Sequence, residues 1–118
     1  MQRVSMNASL LITAMTLALV AGVPRAARAQ DAAAKGAEVY AAQKCSTCHS
    51  IAGKGGKSSP LDGVGAKLSA DDIRQWIVDP VAMAKKSNST KKPPMPKKYD
   101  KLPAADIDGL VAYMQSLK

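Results

Sequence analysis

Apolar and polar residues alternate along this chain in helical rather than strand rhythm. Ile107, Leu110, Val111, Met114 and Leu117 recur at i, i+3, i+4, i+7 and i+10, which puts one apolar stripe on a final helix. Pro103 is placed to occupy the first position of that helix, where a missing N–H costs nothing. A second helix is expected from Ser69, a side chain suited to the N-cap, with Asp71 and Asp72 in the first turn. It runs through Trp76 and stops near Asp79-Pro80. A third, rich in Ala, spans 31–44 and carries Gly36 and Tyr40 four apart on one face. Residues 50–68 are rich in Gly, Ser and Lys, and 84–101 in Lys, Pro, Ser and Asn; both read as loops. No period-2 strand and no repeat stands out. Loops this long in so small a domain point to a function.

The first residues form a different pattern. Arg3 precedes an apolar stretch from Ala8 to Val23, and Ala27-Arg28-Ala29 offers the small-x-small arrangement of a cleavage site. Residues 1–29 are therefore expected to be an export signal removed after Ala29, leaving one domain at 30–118 in the periplasm. The alternative is an uncleaved anchor. The apolar stretch is short for a bilayer span, and no Cys at the cleavage point offers a lipid attachment site.

Composition sharpens this picture. The 118 residues include one Trp, three Tyr and no Phe, so the side chains alone supply a thin core. Something else is expected to fill the interior. The formal charge is +8. Loss of Arg3, Arg25 and Arg28 leaves the domain basic, which suits acidic partners. Nucleic acid does not fit an exported chain without a binding motif.

The chemistry centres on Cys45-Ser46-Thr47-Cys48-His49. The C-x-x-C-H spacing is that of covalent c-type haem attachment: two thiols reach the vinyl groups on one porphyrin edge, and the next residue places its imidazole under the iron. A dithiol redox motif would follow a strand, whereas an Ala-rich helix precedes this one. A structural zinc site needs four ligands, and the chain holds two Cys and one His. A plain disulfide gives the adjacent His no role. With His49 the only His, a bis-His haem within the chain is excluded, and the second axial ligand is Met, Lys, another weaker group, or nothing. Met114 lies on the apolar helix face and reads as core; Met83 reads as local packing. Met95, inside Pro93-Pro94-Met95-Pro96, is a thioether on a loop whose prolines fix φ, and is the expected ligand. A backbone carbonyl in the 53–65 loop is expected to orient His49. Gly56-Lys57-Ser58 lacks the upstream Gly of a phosphate loop, since Ile51 stands there.

In the order Gly36, Tyr40, Cys45–His49, Pro60-Leu61, Gly63, Trp76-Ile77, Pro80, Met95-Pro96 and Ile107–Tyr113, the chain resembles the class I (mitochondrial-type) bacterial monohaem cytochromes c. The resemblance covers essentially all of 30–118. It implies an all-α fold of three main helices and long loops wrapped around one covalently bound haem c. It also implies a crossing of the first and last helices, with Gly36 and Tyr40 against Leu110 and Tyr113. It assigns the carbonyl facing the His49 ring to Pro60, and makes Trp76 and Tyr99 candidates for a haem propionate. Tyr40 departs from the more usual Phe, and the lysine-rich stretch lengthens the approach to Met95. The expected function is one-electron transfer rather than catalysis. Lys85, Lys86, Lys91, Lys92, Lys97 and Lys98 would form the docking face for acidic redox partners, a reductase and an oxidase or dehydrogenase. A solvated loop is the plainer reading of those lysines. A haem-based sensor or peroxidase-like enzyme with an open iron, or a small haem subunit of a larger complex, are the alternatives.

Overall fold

Two glycines decide how the first and last helices meet. The computed structural model describes residues 22–118. In it α1 (Arg25–Ala42) crosses α5 (Ala104–Ser116) with Gly36 directly against Gly109. A Cβ on Gly36 would collide with the Gly109 carbonyl and lie 2.6 Å from the Tyr113 Cβ, so the backbones approach this closely only because the side chain is absent. Tyr40 and Tyr113 then meet edge to face, centroids 5.7 Å apart at 73°. The expected crossing is present, but Gly109 rather than Leu110 is the close partner of Gly36. Lys35 pairs with Asp106 across the same junction at 3.4 Å.

The core sits beside this crossing. Val39 of α1 and Ile107, Leu110, Val111 and Met114 of α5 pack with Ile73 and Ile77 of α3 (Ala70–Val78). Ser69 caps α3 as expected, its Oγ accepting the Asp72 N–H at 3.1 Å. Asp79 ends α3 and also begins α4 (Pro80–Lys86), its carboxylate accepting the Ala82 N–H at 3.3 Å. The expected stop at Asp79-Pro80 is thus a joint between helices, because proline at the first helical position is as good a start as it is an end. Residues 84–86, expected as loop, are the last turn of α4, where Lys85 and Lys86 suit the negative end of the helix. Met83 is buried at 8 % exposure, on α4.

Between α1 and α3, the expected loop contains a small sheet and α2 (Val64–Lys67). β1 (His49–Ile51) pairs antiparallel with β2 (Lys54–Gly55) and parallel with β3 (Ser59–Pro60), in the order β2-β1-β3. Ala52 and Gly53 make the two-residue turn between β1 and β2, both at positive φ (51° and 77°). At two or three residues each, these strands are too short to leave a period in the sequence. The first and last helices also start elsewhere than expected. α5 begins at Ala104 with Pro103 as its cap, and α1 begins at Arg25, ahead of the expected cleavage point after Ala29. Residues 1–21, which hold most of the expected export signal, lie outside the described residues. The fold is all-α in the main, with α1, α3 and α5 as the three principal helices.

Candidate functional site

α1 ends at Ala42, and Lys44 takes a left-handed conformation (φ 54°) that turns the chain sharply back. Cys45–Thr47 then form a single 3-10 turn closed by the Cys48 N–H to the Cys45 carbonyl at 3.2 Å. The turn delivers Cys45, Cys48 and His49 to the wall of one cavity of about 790 Å³. Pro60, Trp76, Met95 and Tyr99 line the same cavity, so residues from four separate stretches of sequence converge there. The rest of the lining is largely apolar: Leu61, Val64, Leu68, Ile73, Ile77, Leu110 and Met114. Met114 thus belongs to the core and also faces the cavity.

The His49 ring is fixed by its backbone surroundings. Nδ1 lies 2.9 Å from the Ser59 carbonyl oxygen. A carbonyl only accepts, so Nδ1 carries the proton and Nε2 keeps its lone pair for a ligand. The expected carbonyl is present in the loop, but it belongs to Ser59 and not to Pro60. The cause is register: His49 stands opposite Ser59 in the β1–β3 ladder, while Pro60 stands opposite Ser50. Around the ring the main chain is held at each step. Gly56 N–H donates to the Ser46 carbonyl (2.8 Å), the Ser58 hydroxyl to the Cys48 carbonyl (3.0 Å), and Leu61 N–H to the Ser50 carbonyl (2.8 Å). The Tyr40 hydroxyl donates to the His49 carbonyl at 3.3 Å. Asp62 accepts the Ala52 N–H at 2.8 Å, tying the hairpin turn to the start of α2. Ser58, Ser59 and Gly56 were not readable as site residues, because Ser59 and Gly56 act through backbone groups and the Ser58 hydroxyl through a backbone carbonyl, contacts that only the folded loop brings together.

Cys45 and Cys48 carry free thiols. Burial pushes the Cys45 thiol above its ordinary range, against the opposing pull of its backbone hydrogen bond and of Lys98. Lys44, Lys67, Lys91, Lys92 and Lys98 also line the cavity, with Asp62 the acid among them. Three of the six expected docking lysines therefore stand at its mouth. All six are exposed. Lys86 pairs with Asp72 and Lys97 with Asp79, each at 3.6 Å, so acids of the α3 region partly offset a segment that holds none itself.

Among the described residues, no three His, Cys, Asp or Glu side chains gather as a cage for a bare metal ion. Two thiols and an imidazole on the edge of a large apolar cavity suit instead a planar prosthetic group that is bonded to the chain. The cavity lies within the roughly 300–1,000 Å³ usual for cofactor sites. Its thin polar lining and the free Nε2 fit such a group.

An all-α shell around that cavity suits the class of protein that wraps a bonded prosthetic group. The family model described as Cytochrome c matches residues 33–118, and the chain belongs to that family, as a class I member. Neither a curated protein nor a solved structure matches it. Membership brings a covalently bound haem c and haem-based electron transfer.

Proposed function

We propose that the chain is a periplasmic carrier of single electrons, with one haem c whose iron is ligated by His49 and Met95, and that it is not an enzyme. The observation that supports this reading most strongly is the His49 ring, with Nδ1 bonded to Ser59 and Nε2 free, in a cavity that Met95 also lines. The haem, when bound, supplies an iron that changes oxidation state by one electron. The residues do the rest. Cys45 and Cys48 would anchor the group through thioethers, and His49 Nε2 and Met95, half-buried on its proline-flanked loop, would be the residues that hold its iron. A thioether paired with an imidazole would favour the reduced state and raise the potential. The largely apolar lining would keep the iron from water, and the two ligands would leave it no open site for a small molecule. Trp76 and Tyr99 pack at the cavity wall, where a propionate hydrogen bond is open to them. Export by residues 1–29 with cleavage after Ala29 would free the domain from its leader.

The test is Met95→Ala in protein matured with haem. Loss of the weak long-wavelength sulfur-to-iron band and a fall in potential are expected, with haem still attached. An unchanged spectrum sinks His/Met ligation and favours an open-iron sensor or peroxidase-like enzyme.

Lys91, Lys92 and Lys98 at the cavity mouth, with Lys85, Lys86 and Lys97 behind them, would steer acidic redox partners to the haem edge. Electron exchange with such a partner should slow as ionic strength rises. Stopped-flow rates that ignore salt would remove the docking role.

A further inference from the structure

In the β1–β3 ladder it is Ser50 that faces β3, its carbonyl accepting the Leu61 N–H at 2.8 Å, so the His49 carbonyl points away from β3. On the β2 side the Gly56 N–H donates to the Ser46 carbonyl at 2.8 Å. From α1, the Tyr40 hydroxyl reaches the His49 carbonyl at 3.3 Å. Tyr40 also lines the haem cavity and packs its ring edge to face with Tyr113, whose Cβ lies against Gly36 at the α1/α5 crossing. One side chain thus joins the helix crossing, the cavity wall and the main chain of the expected iron ligand. The ring accounts for the first two contacts. The hydroxyl is needed only for the third.

We propose that Tyr40 is a positioning residue for His49: its hydroxyl, held in place by Tyr113, pins the His49 carbonyl from the α1 side while Ser59 pins the ring from the β3 side. Two anchors on one residue fix the plane of the imidazole, the Tyr40 bond adding an α1-side restraint to the main-chain bonds that hold residues 46–50. This rests on His49 being an axial ligand, as proposed above.

The experiment compares matured Tyr40→Phe with the wild-type haem protein and with Tyr113→Phe. Tyr40→Phe keeps the ring and its packing and removes the hydroxyl alone. The paramagnetically shifted haem methyl resonances of the ferric form report the imidazole plane. Tyr40→Phe should change their spread and shift the reduction potential, with thioether attachment and the sulfur band retained. Tyr113→Phe should leave both readouts as in the wild type. Identical methyl patterns and potentials in Tyr40→Phe and wild type overturn the proposal, as does an equal change in Tyr113→Phe. Should Tyr40→Phe fail to mature, the wild type decides: a slowly exchanging Tyr40 hydroxyl proton supports the bond, and one exchanging at the solvent rate overturns it. A wild type without the sulfur band, but with the Tyr40 effects, would fail the Met95 ligation and spare this inference.

Discussion

The haem cavity has two loop walls, and they are held by different physics. The His49 wall, residues 44–61, is stitched by hydrogen bonds: a three-stranded ladder, the Ser46–Gly56 and Cys48–Ser58 bonds, and anchors from Tyr40 and Asp62 outside it. The Met95 wall, residues 87–98, has few. Asn88 and Ser89 close the end of α4, Lys91 N–H reaches the Ser89 hydroxyl at 3.4 Å, and Lys98 N–H reaches the Pro96 carbonyl at 3.2 Å. Lys97 to Asp79, 3.6 Å apart and solvent-exposed, adds little. What stiffens this wall is covalent: Pro93, Pro94 and Pro96 each lock φ near −65°. Hydrogen bonds restrain the folded state, whereas prolines shrink the set of conformations open to the loop when it is loose. The stitched wall should therefore fail sharply when one stitch is removed, and the proline wall should loosen by degrees.

The largest effect is expected at Gly56. A Cβ there would lie 2.8 Å from the Cys48 carbonyl carbon and 2.9 Å from its Cα, and closer still to the Thr47 carbonyl. Those are backbone atoms of the attachment motif, which cannot swing aside as the end of a side chain can. Gly56→Ala should cost about 1–3 kcal/mol, the usual range for overpacking, and should disturb the His49 side before the Met95 side. Denaturant melts of the haem protein check the first expectation. A melt within error of the wild type would mean that the wall yields far more easily than its bonding implies.

Ser58→Ala is the milder cut on the same wall. It removes the hydroxyl that bonds the Cys48 carbonyl at 3.0 Å at an exposed position, so water replaces it. A loss of about 0.5–1 kcal/mol is expected, the low end for a hydrogen bond. Amide exchange should quicken locally at residues 46–50 and stay unchanged across α3. Faster exchange spread over the whole domain would show that the wall is not a unit.

The two walls also differ in how far they could be read from sequence. The proline wall was legible, because its restraint is a property of the residues themselves: three prolines around one methionine say what they do without neighbours. On the stitched wall only the motif was legible. C-x-x-C-H carries its own chemistry, but the carbonyl that orients the ring depends on strand register, and the assignment fell one residue off, on Pro60 in place of Ser59. The helices divide along the same line. Ser69 with Asp72 announced a cap that exists, since capping is local. Pro80 was ambiguous, as it ends one helix and starts the next, and the tertiary position of Asp79 between them settles it. Gly109 left a usable trace. A glycine inside an otherwise regular apolar helix is a sacrifice of about 1 kcal/mol and calls for a packing reason. Paired with Gly36, it marks the crossing.

The smallest effect is the one that most sharpens the contrast. Pro94→Ala removes no hydrogen bond, since proline has no N–H, and returns freedom to the loop. A proline at a compatible position stabilises by about 0.4–1 kcal/mol, which is roughly a two- to fivefold change in an equilibrium. If Met95 ligates the iron, that factor should appear in its detachment. Added imidazole competes for the same axial position, so ferric Pro94→Ala should bind imidazole about two- to fivefold more tightly than the wild type. Exchange of the Ser50 and Gly56 amides, on the stitched wall, should not change. Imidazole affinity equal to the wild type would mean that the prolines do not restrain Met95 and that the wall is held by contacts after all. A matching change on the His49 side would mean that the two walls open together, and the distinction between stitched and proline-stiffened loops would not describe how this site moves.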